Sequence, residues 1–449
     1  MTVRPRPPAP AGGRHAYGCI CPAIRNQEPT VTLVPGEGDW IFSVAAPPVL
    51  DAIRGPHRPV PLALTPGTAV ALDGGVASDP RRPDDRQGAG MPVPPQRDPS
   101  RAREVITRWL TDRFPADGTP TVGSLSTPAE TGFSGETLLC DATWDHRGRS
   151  LVRPLAVRVA PAGHRLLPES PWHRQVRLQE LLAGTDVPVA RIHGSEPSGD
   201  LLGAPFVVME RIEGRVPGDI PSYHRSGWLA ELPPADRAQV WNGGLRVMAR
   251  LHRLDPDALD LSFLDDPAHG AAGIGRQFGE CLAHLEFYGV QDDPVVARAA
   301  DWLRKHRPEE PDPPRLLWGD ARIGNIIYSG HTPVALLDWE MATLGAPESD
   351  LAWYLFTDRY LSEGLGLPRL PGLPSRQETV AAYASLLGRP LRDLTFYEVF
   401  SAFRFSLITS RVTRLMTGTG IHWPGGRTPY VQSAALLVRA LDEADEGAS

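Results

Sequence analysis

Residues 316–340 read LLWGDARIGNIIYSGHTPVALLDWE. Two apolar runs, IleIleTyr from Ile326 and ValAlaLeuLeu from Val334, flank the pair Ser329-Gly330, a turn signal that predicts a hairpin. A third apolar run, LeuLeuTrp, precedes Gly319. Three polar residues stand where these runs begin or end: Asp320 after LeuLeuTrp, Asn325 before IleIleTyr and Asp338 after ValAlaLeuLeu. Closing the hairpin returns Asp338 to the side of Asn325. Two carboxylates and an amide would then share one edge of a small sheet, where backbone direction changes.

The spacing Asp320-Ala-Arg-Ile-Gly-Asn325 is the D-x-x-x-x-N of a kinase catalytic loop, in which a second Asp binds metal. In that chemistry Asp320 accepts or orients the proton of a substrate hydroxyl. Asn325 and Asp338 supply hard oxygen ligands suited to Mg²⁺, which bridges phosphate oxygens and neutralises the charge that develops in transfer. A lone DxxxxN carries little weight, because Asx residues cap turns in any fold. The strand-terminal Asp338 after a hairpin sharpens it.

Further signals lie upstream. Gly132-Phe-Ser134-Gly135-Glu-Thr137 precedes a strand, and its glycines let backbone approach phosphate closely, although an ordinary hairpin turn has the same composition. No Walker A loop or dinucleotide fingerprint occurs. Arg158, in LeuAlaValArgValAla, alternates with apolar neighbours and occupies the strand where kinases place a phosphate-binding lysine; Arg153 is its nearest rival. The run Phe206–Gly214 connects the two halves of the chain. Its backbone, at Glu210 and Ile212, is placed to pair with an adenine edge, while Met209 either packs on the base or belongs to the core.

Around these motifs the chain divides by composition. Residues 1–99 hold 19 of the 48 prolines, so residues 1–98 are expected to be a mostly disordered extension, with a weak strand-pair signal at Val31–Ile53. Residues 99–214 read as helix, hairpin, helix and two strands, the pattern of a small antiparallel sheet. Residues 215–449 are dominated by helical periodicity. Lys+Arg at 46 against Asp+Glu at 53 gives a formal charge of -7, which speaks against nucleic-acid or anionic-membrane binding. Four cysteines, without zinc spacing, form no disulfide framework, and no apolar run reaches the roughly 18 residues of a membrane span. Reduced thiols and a start that makes a poor signal peptide lead us to expect the cytoplasm.

The motifs GFSGETLL, LAVRVAP, LLAGTDVPVARIHG, LGAPFVVMERIEGRVP, LLWGDARIGNIIY and VALLDWEMATLGAPESDLAW, in this order, resemble the aminoglycoside phosphotransferase superfamily of kinase-like small-molecule kinases over about residues 101–440. The chain is most similar to a bacterial branch known only as phosphotransferase family proteins, itself similar to the kinase-like domain attached to some acyl-CoA dehydrogenases. The resemblance implies an α+β bilobal protein-kinase-like fold, with a small antiparallel-sheet N-lobe and a larger, mostly helical C-lobe. It implies ATP-dependent phosphoryl transfer to a hydroxyl of a small molecule, with Mg²⁺ as cofactor and GTP left open. Asp320 matches the catalytic position, Asn325 and Asp338 the metal positions, Arg158 the phosphate cation, and Gly132 to Thr137 the nucleotide-covering loop. Asp350 and Trp353 match a structural motif.

Two positions depart from the family pattern. Trp318 stands where many members have His, and substitutes by packing. On the small-lobe helix Gln175 occupies the place of the Glu that pairs with the strand cation; either Glu180 serves or the pair is absent. A nucleotide-binding protein without transfer activity is therefore an alternative, as is a phosphotransferase fold recruited to other biosynthetic chemistry. Tyr223, His224, Trp228, Trp241 and His284 are candidate acceptor-pocket residues. They are also ordinary core residues, and acidic clusters suited to a polycation are few. His252 is expected to cap or pack against the catalytic lobe.

Overall fold

The computed structural model describes residues 97–115, 118–127, 135–146, 149–161, 165–168, 172–264, 271–309, 313–417 and 426–447, together with the backbone of an antiparallel strand pair, β1 (Thr32–Pro35) and β2 (Trp40–Ser43). The rest of the Pro-rich extension, and the expectation of disorder placed on it, lies outside the described residues.

Helix α1 (Pro99–Arg113) starts where a start signal stands in the sequence. The Asp98 carboxylate accepts from the Ser100 N–H at 2.9 Å, and Pro99 takes the first turn, where no donor is needed. Its buried residues Ala102, Ile106, Trp109 and Leu110 follow helical spacing and face a five-stranded antiparallel sheet in the order β3-β4-β5-β7-β6. These strands are β3 (Thr121–Val122), β4 (Glu136–His146), β5 (Arg149–Val159), β6 (Ile192–Glu196) and β7 (Phe206–Glu210). β4 and β5 pair along their whole length, from Glu136↔Val159 to His146↔Arg149. Alternation places Leu138, Cys140, Ala142, Trp144, Leu155, Val157 and Val159 in one core with α1. Ala156 and Arg158 therefore point to the opposite face.

That second face meets α2 (Trp172–Leu182), whose Leu178 and Leu182 belong to the core of the helical lobe. α2 thus couples the sheet to the larger half. The apolar run Val187–Ile192 is extended strand only from Ile192. Pro188 is engaged elsewhere, its carbonyl accepting from the Leu336 N–H at 2.8 Å, and the register of β6 on β7 shifts between Ile192 and Gly194.

The larger lobe follows as α3 (Pro234–Arg253), α4 (Ile274–Ala283), α5 (Pro294–Lys305), α6 (Pro347–Arg359), α7 (Arg376–Leu387), α8 (Thr395–Met416) and α9 (Pro429–Gly447). Two small strand pairs lie among them. β9 (Ile326–Ser329) and β10 (Thr332–Leu336) form the expected hairpin, and β8 (Arg315–Leu317) pairs with β11 (Thr343–Gly345). α8 packs on α6 and α9, with Phe396, Phe400, Phe403, Phe405 and Leu407 buried. The hydroxyls of its buried Ser406 and Thr409 bond back to Ala402 and Phe405 carbonyls, so they are satisfied inside an apolar helix. This is the bilobal kinase-like fold that the motifs implied. Among the described residues no helix is long and apolar enough to cross a membrane.

Candidate active site

β8 delivers the chain into Trp318-Gly319-Asp320. Gly319 has φ +85°, and a Cβ there would overlap the Met341 carbonyl, so the sharp exit from the strand requires glycine. Asp350, buried at the start of α6, accepts from the N–H of Trp318 at 2.7 Å and of Gly319 at 2.9 Å. The same carboxylate meets His252 Nε2 at 2.9 Å, and His252 Nδ1 contacts the Tyr383 hydroxyl. His252 is a buried packing and bridging residue, as expected, and Asp350 gathers the bonds that hold the loop.

Asp320 is only 2 % exposed. Its Oδ1 accepts from Trp353 Nε1 at 2.8 Å; its Oδ2 accepts from Asn325 Nδ2 at 2.6 Å and Arg322 Nε at 3.3 Å. Burial pushes the carboxyl above its usual range, while Arg322, Trp353 and Asn325 pull it back. Arg322 also makes a close ion pair with Asp219, a carboxyl that burial likewise raises. Because its amide nitrogen is committed to Asp320, Asn325 turns its Oδ1 elsewhere, and that buried oxygen has no hydrogen-bond partner among the described residues.

The β9–β10 hairpin returns the chain to this point. The Leu337 N–H donates to the Asn325 carbonyl at 2.9 Å, and Asp338 follows in the left-handed region, φ 54°. A non-glycine residue there is held by its surroundings rather than by preference. Trp318 Nε1 donates to the Leu337 carbonyl at 2.7 Å. The tryptophan that stands in place of His therefore ties the Asp320 loop to the Asp338 strand by a hydrogen bond as well as by packing.

From the sheet, Arg158 Nη2 reaches Asp338 Oδ1 at 2.7 Å, with its guanidinium 5.9 Å from the Trp172 ring. Glu180 is exposed, and Gln175 lines a cavity beside Trp339 and Glu340. The cation that in the expected scheme pairs with a small-lobe helix carboxylate is thus paired across the cleft with Asp338. In the connection, the Glu210 N–H donates to the Arg191 carbonyl and the Arg211 N–H to that of Pro154, so these donors belong to the sheet. The Ile212 N–H makes no backbone bond among the described residues. Gly135 has φ +134° and no room for a Cβ against the Val159 carbonyl; Gly132 and Ser134 lie outside the described residues.

Residues 141–386 match the family described as "Phosphotransferase enzyme family". The chain belongs to that family. Its membership implies use of a nucleotide and a divalent metal. Acyl-CoA dehydrogenase family member 11 of Homo sapiens is 28% identical over 268 residues, which cover 57% of this chain and 33% of that protein. Family member 10 of Mus musculus is 29% identical over 278 residues, covering 59% of this chain and 25% of that protein. The phosphotransferase chain thus spans a quarter to a third of the length of these curated relatives. A solved structure from Ralstonia eutropha, assigned by name to the aminoglycoside phosphotransferases, has the same fold. It has a TM-score of 0.57 and 24% identity, and the match covers 77% of this chain and 98% of that one.

A hard divalent cation fits the residues present in this phosphotransferase. The unpartnered Asn325 oxygen and the Asp338 carboxylate are the donor types it prefers. Among the described residues no three of His, Cys, Asp and Glu gather as a metal cluster, which is compatible with an ion held largely by water and substrate phosphates.

The aromatic acceptor candidates are corrected in most positions. Tyr223, His224, Trp228 and Trp241 are buried, and their polar atoms serve the scaffold. Tyr223 donates to Asp358 at 2.7 Å, His224 Nε2 sits 3.1 Å from the same carboxylate, Trp228 donates to the Val216 carbonyl and Trp241 to Thr379. Of the five, His284 lines the cavity beside Gln175 and Trp339. Asp219 escaped the sequence reading because nothing local marks it; Arg322, inside the DxxxxN stretch, was available as a signal.

Arg158→Met is expected to weaken ATP binding about tenfold, about 1.4 kcal/mol, with acceptor binding unchanged. Calorimetry with each ligand checks this, and an unaltered ATP affinity would take the phosphate-binding role from Arg158.

Proposed function

We propose that this phosphotransferase transfers the γ-phosphoryl group of ATP to a hydroxyl of a small molecule in the presence of Mg²⁺, with residues 99–214 as nucleotide lobe and 215–449 as catalytic and acceptor lobe. The observation that carries the reading is the pairing of two differently prepared oxygens. Asp320 is oriented by three donors, and the neighbouring Asn325 Oδ1 is buried with no partner. A buried acceptor left unmatched is unfavourable unless a ligand completes it.

In this reading Asp320 orients the acceptor hydroxyl and takes its proton. Its raised affinity for protons suits that task, and Trp353 and Asn325 keep the carboxylate from rotating away. Asn325 and Asp338 hold the metal, which when bound neutralises phosphate charge. Arg158, which pairs with Asp338, lies beside the metal-binding carboxylate and is the cation offered to phosphate oxygens. The Glu210 carbonyl and Ile212 N–H face the base, and the Gly132, Ser134 and Gly135 loop covers the phosphates.

Asp338→Asn is expected to weaken Mg²⁺-dependent ATP binding as well as turnover, with partial rescue at higher Mg²⁺. ATP and GTP titrations at several Mg²⁺ concentrations test this, beside a mass-spectrometric screen of alcohols for phosphate adducts. Nucleotide affinity independent of both Mg²⁺ and Asp338 would remove the metal role.

A further inference from the structure

Between α2, α4 and the segment following Asp338 lies a cavity of about 160 Å³. Three guanidinium groups line it: Arg174 from α2, Arg276 from α4 and Arg404 from α8. Among the described residues two carboxylates, Glu280 and Glu340, share the wall. Arg276 is held in place, its Nη2 bonded to the Leu264 carbonyl at 3.2 Å and the Thr343 hydroxyl at 3.1 Å, with Nε 3.6 Å from Glu280. Arg174 and Arg404 have no carboxylate partner among the described residues.

Arg404 is half-buried, its guanidinium 5.4 Å from the Trp353 ring, and Trp353 is the residue that donates to Asp320. Gln277 is 6 % exposed, and its Nε2 has no partner among the described residues. It lines both this cavity and a small recess bounded by Gly319 and Asp350. The cavity therefore adjoins the Asp320 loop, and among the described residues Arg174, Arg404 and Gln277 bring donors to it that no carboxylate matches. A partly desolvated cation without a counter-charge is unfavourable, and the planar fork of arginine matches carboxylate and phosphate oxygens. A polycationic acceptor would meet the wrong charge here.

We propose that this cavity is the acceptor site and that it takes a hydroxylated anion, a carboxylate or a phosphate ester, held by Arg174 and Arg404 with the Gln277 amide as a further donor. The proposal rests on the phosphoryl-transfer reading and deepens it. The acceptor hydroxyl oxygen bonds to the γ-phosphorus, the bond from that phosphorus to the β–γ bridging oxygen breaks, the proton goes to Asp320, and ADP leaves.

The test is calorimetry on the full chain without nucleotide, using 3-hydroxybutyrate, glycerol 3-phosphate and, as the cationic alcohol, ethanolamine. At least one anion is expected to bind, and which one does separates carboxylate from phosphate recognition. Ethanolamine is expected not to bind. Arg404→Gln and Arg174→Gln, each checked for an intact thermal transition, are expected to weaken anion binding at least about tenfold, the scale of one charge-assisted contact. The proposal is overturned if no anion binds, if ethanolamine binds more tightly than both anions, or if the folded variants bind anions as the unaltered chain does. A parallel ADP-release assay with Mg·ATP separates the two readings. Turnover with ethanolamine and not with the anions keeps the kinase and removes the anion site. Arginine-dependent anion binding with no ADP release from any of the three removes the kinase and keeps the site.

Discussion

Asp320→Asn is expected to lower turnover by about 10²-fold or more, the scale of a general-base contribution, and to leave Mg·ATP binding largely intact. Among the described residues every hydrogen-bond partner of the carboxylate is a donor: Trp353 Nε1 on one oxygen, Asn325 Nδ2 and Arg322 Nε on the other. An asparagine must turn its own NH₂ toward one of these, so a donor faces a donor whichever way the amide is placed. The variant is therefore also expected to lose about 1–3 kcal/mol of stability, the cost of an unmatched buried donor. Single-turnover kinetics with a saturating acceptor, read beside nucleotide titration, separates the two effects. Near-normal turnover in a folded variant would remove Asp320 from the chemistry.

A second substitution acts through the frame rather than the reacting group. Asp350→Ala is expected to destabilise the chain by about 3–5 kcal/mol, as when one partner of a buried charged network is removed. Asp350 is 1 % exposed and takes bonds from Trp318 N–H, Gly319 N–H and His252 Nε2. Among the described residues none of these has another acceptor of comparable geometry, so all three are stranded together. The urea midpoint and melting temperature should fall, and turnover should fall with them because the loop carrying Asp320 loses its anchor. Asp350→Asn gives the control: its oxygen can still accept, while its NH₂ opposes a backbone N–H, so an intermediate loss is expected. A loss below about 1 kcal/mol for the alanine variant would show that water replaces the carboxylate and that the loop is held by other contacts.

The two halves of the site were unequally visible in the sequence. Asp320, Asn325 and Asp338 stand within one hairpin's length, and apolar alternation broken by Ser329-Gly330 is enough to bring Asp338 back to Asn325. Arg158 was legible as a face assignment, since period-2 alternation on β5 sends it away from the α1 core. Its partner was not. The helix carboxylate Glu180 is exposed, and the bond goes to Asp338, 180 residues away in the chain. Asp219 is likewise joined to Arg322 across 103 residues, with no local pattern to announce it. The aromatics after Gly214 carried too little information to separate core from pocket, because Tyr and Trp bury an apolar body and a polar tip equally well in either place.

From its sequence alone this protein determined its elements, their order and the three residues at the centre of the proposed chemistry, because periodicity, capping residues and turn residues act over a few neighbouring positions. The tertiary structure decided which charges meet. It placed Arg158 against Asp338, Asp219 against Arg322, and three arginines from three separate helices around one cavity. Such contacts depend on how α2, α4 and α8 pack against the loops. That packing is settled by burial of apolar surface spread over the whole chain, which no local stretch records.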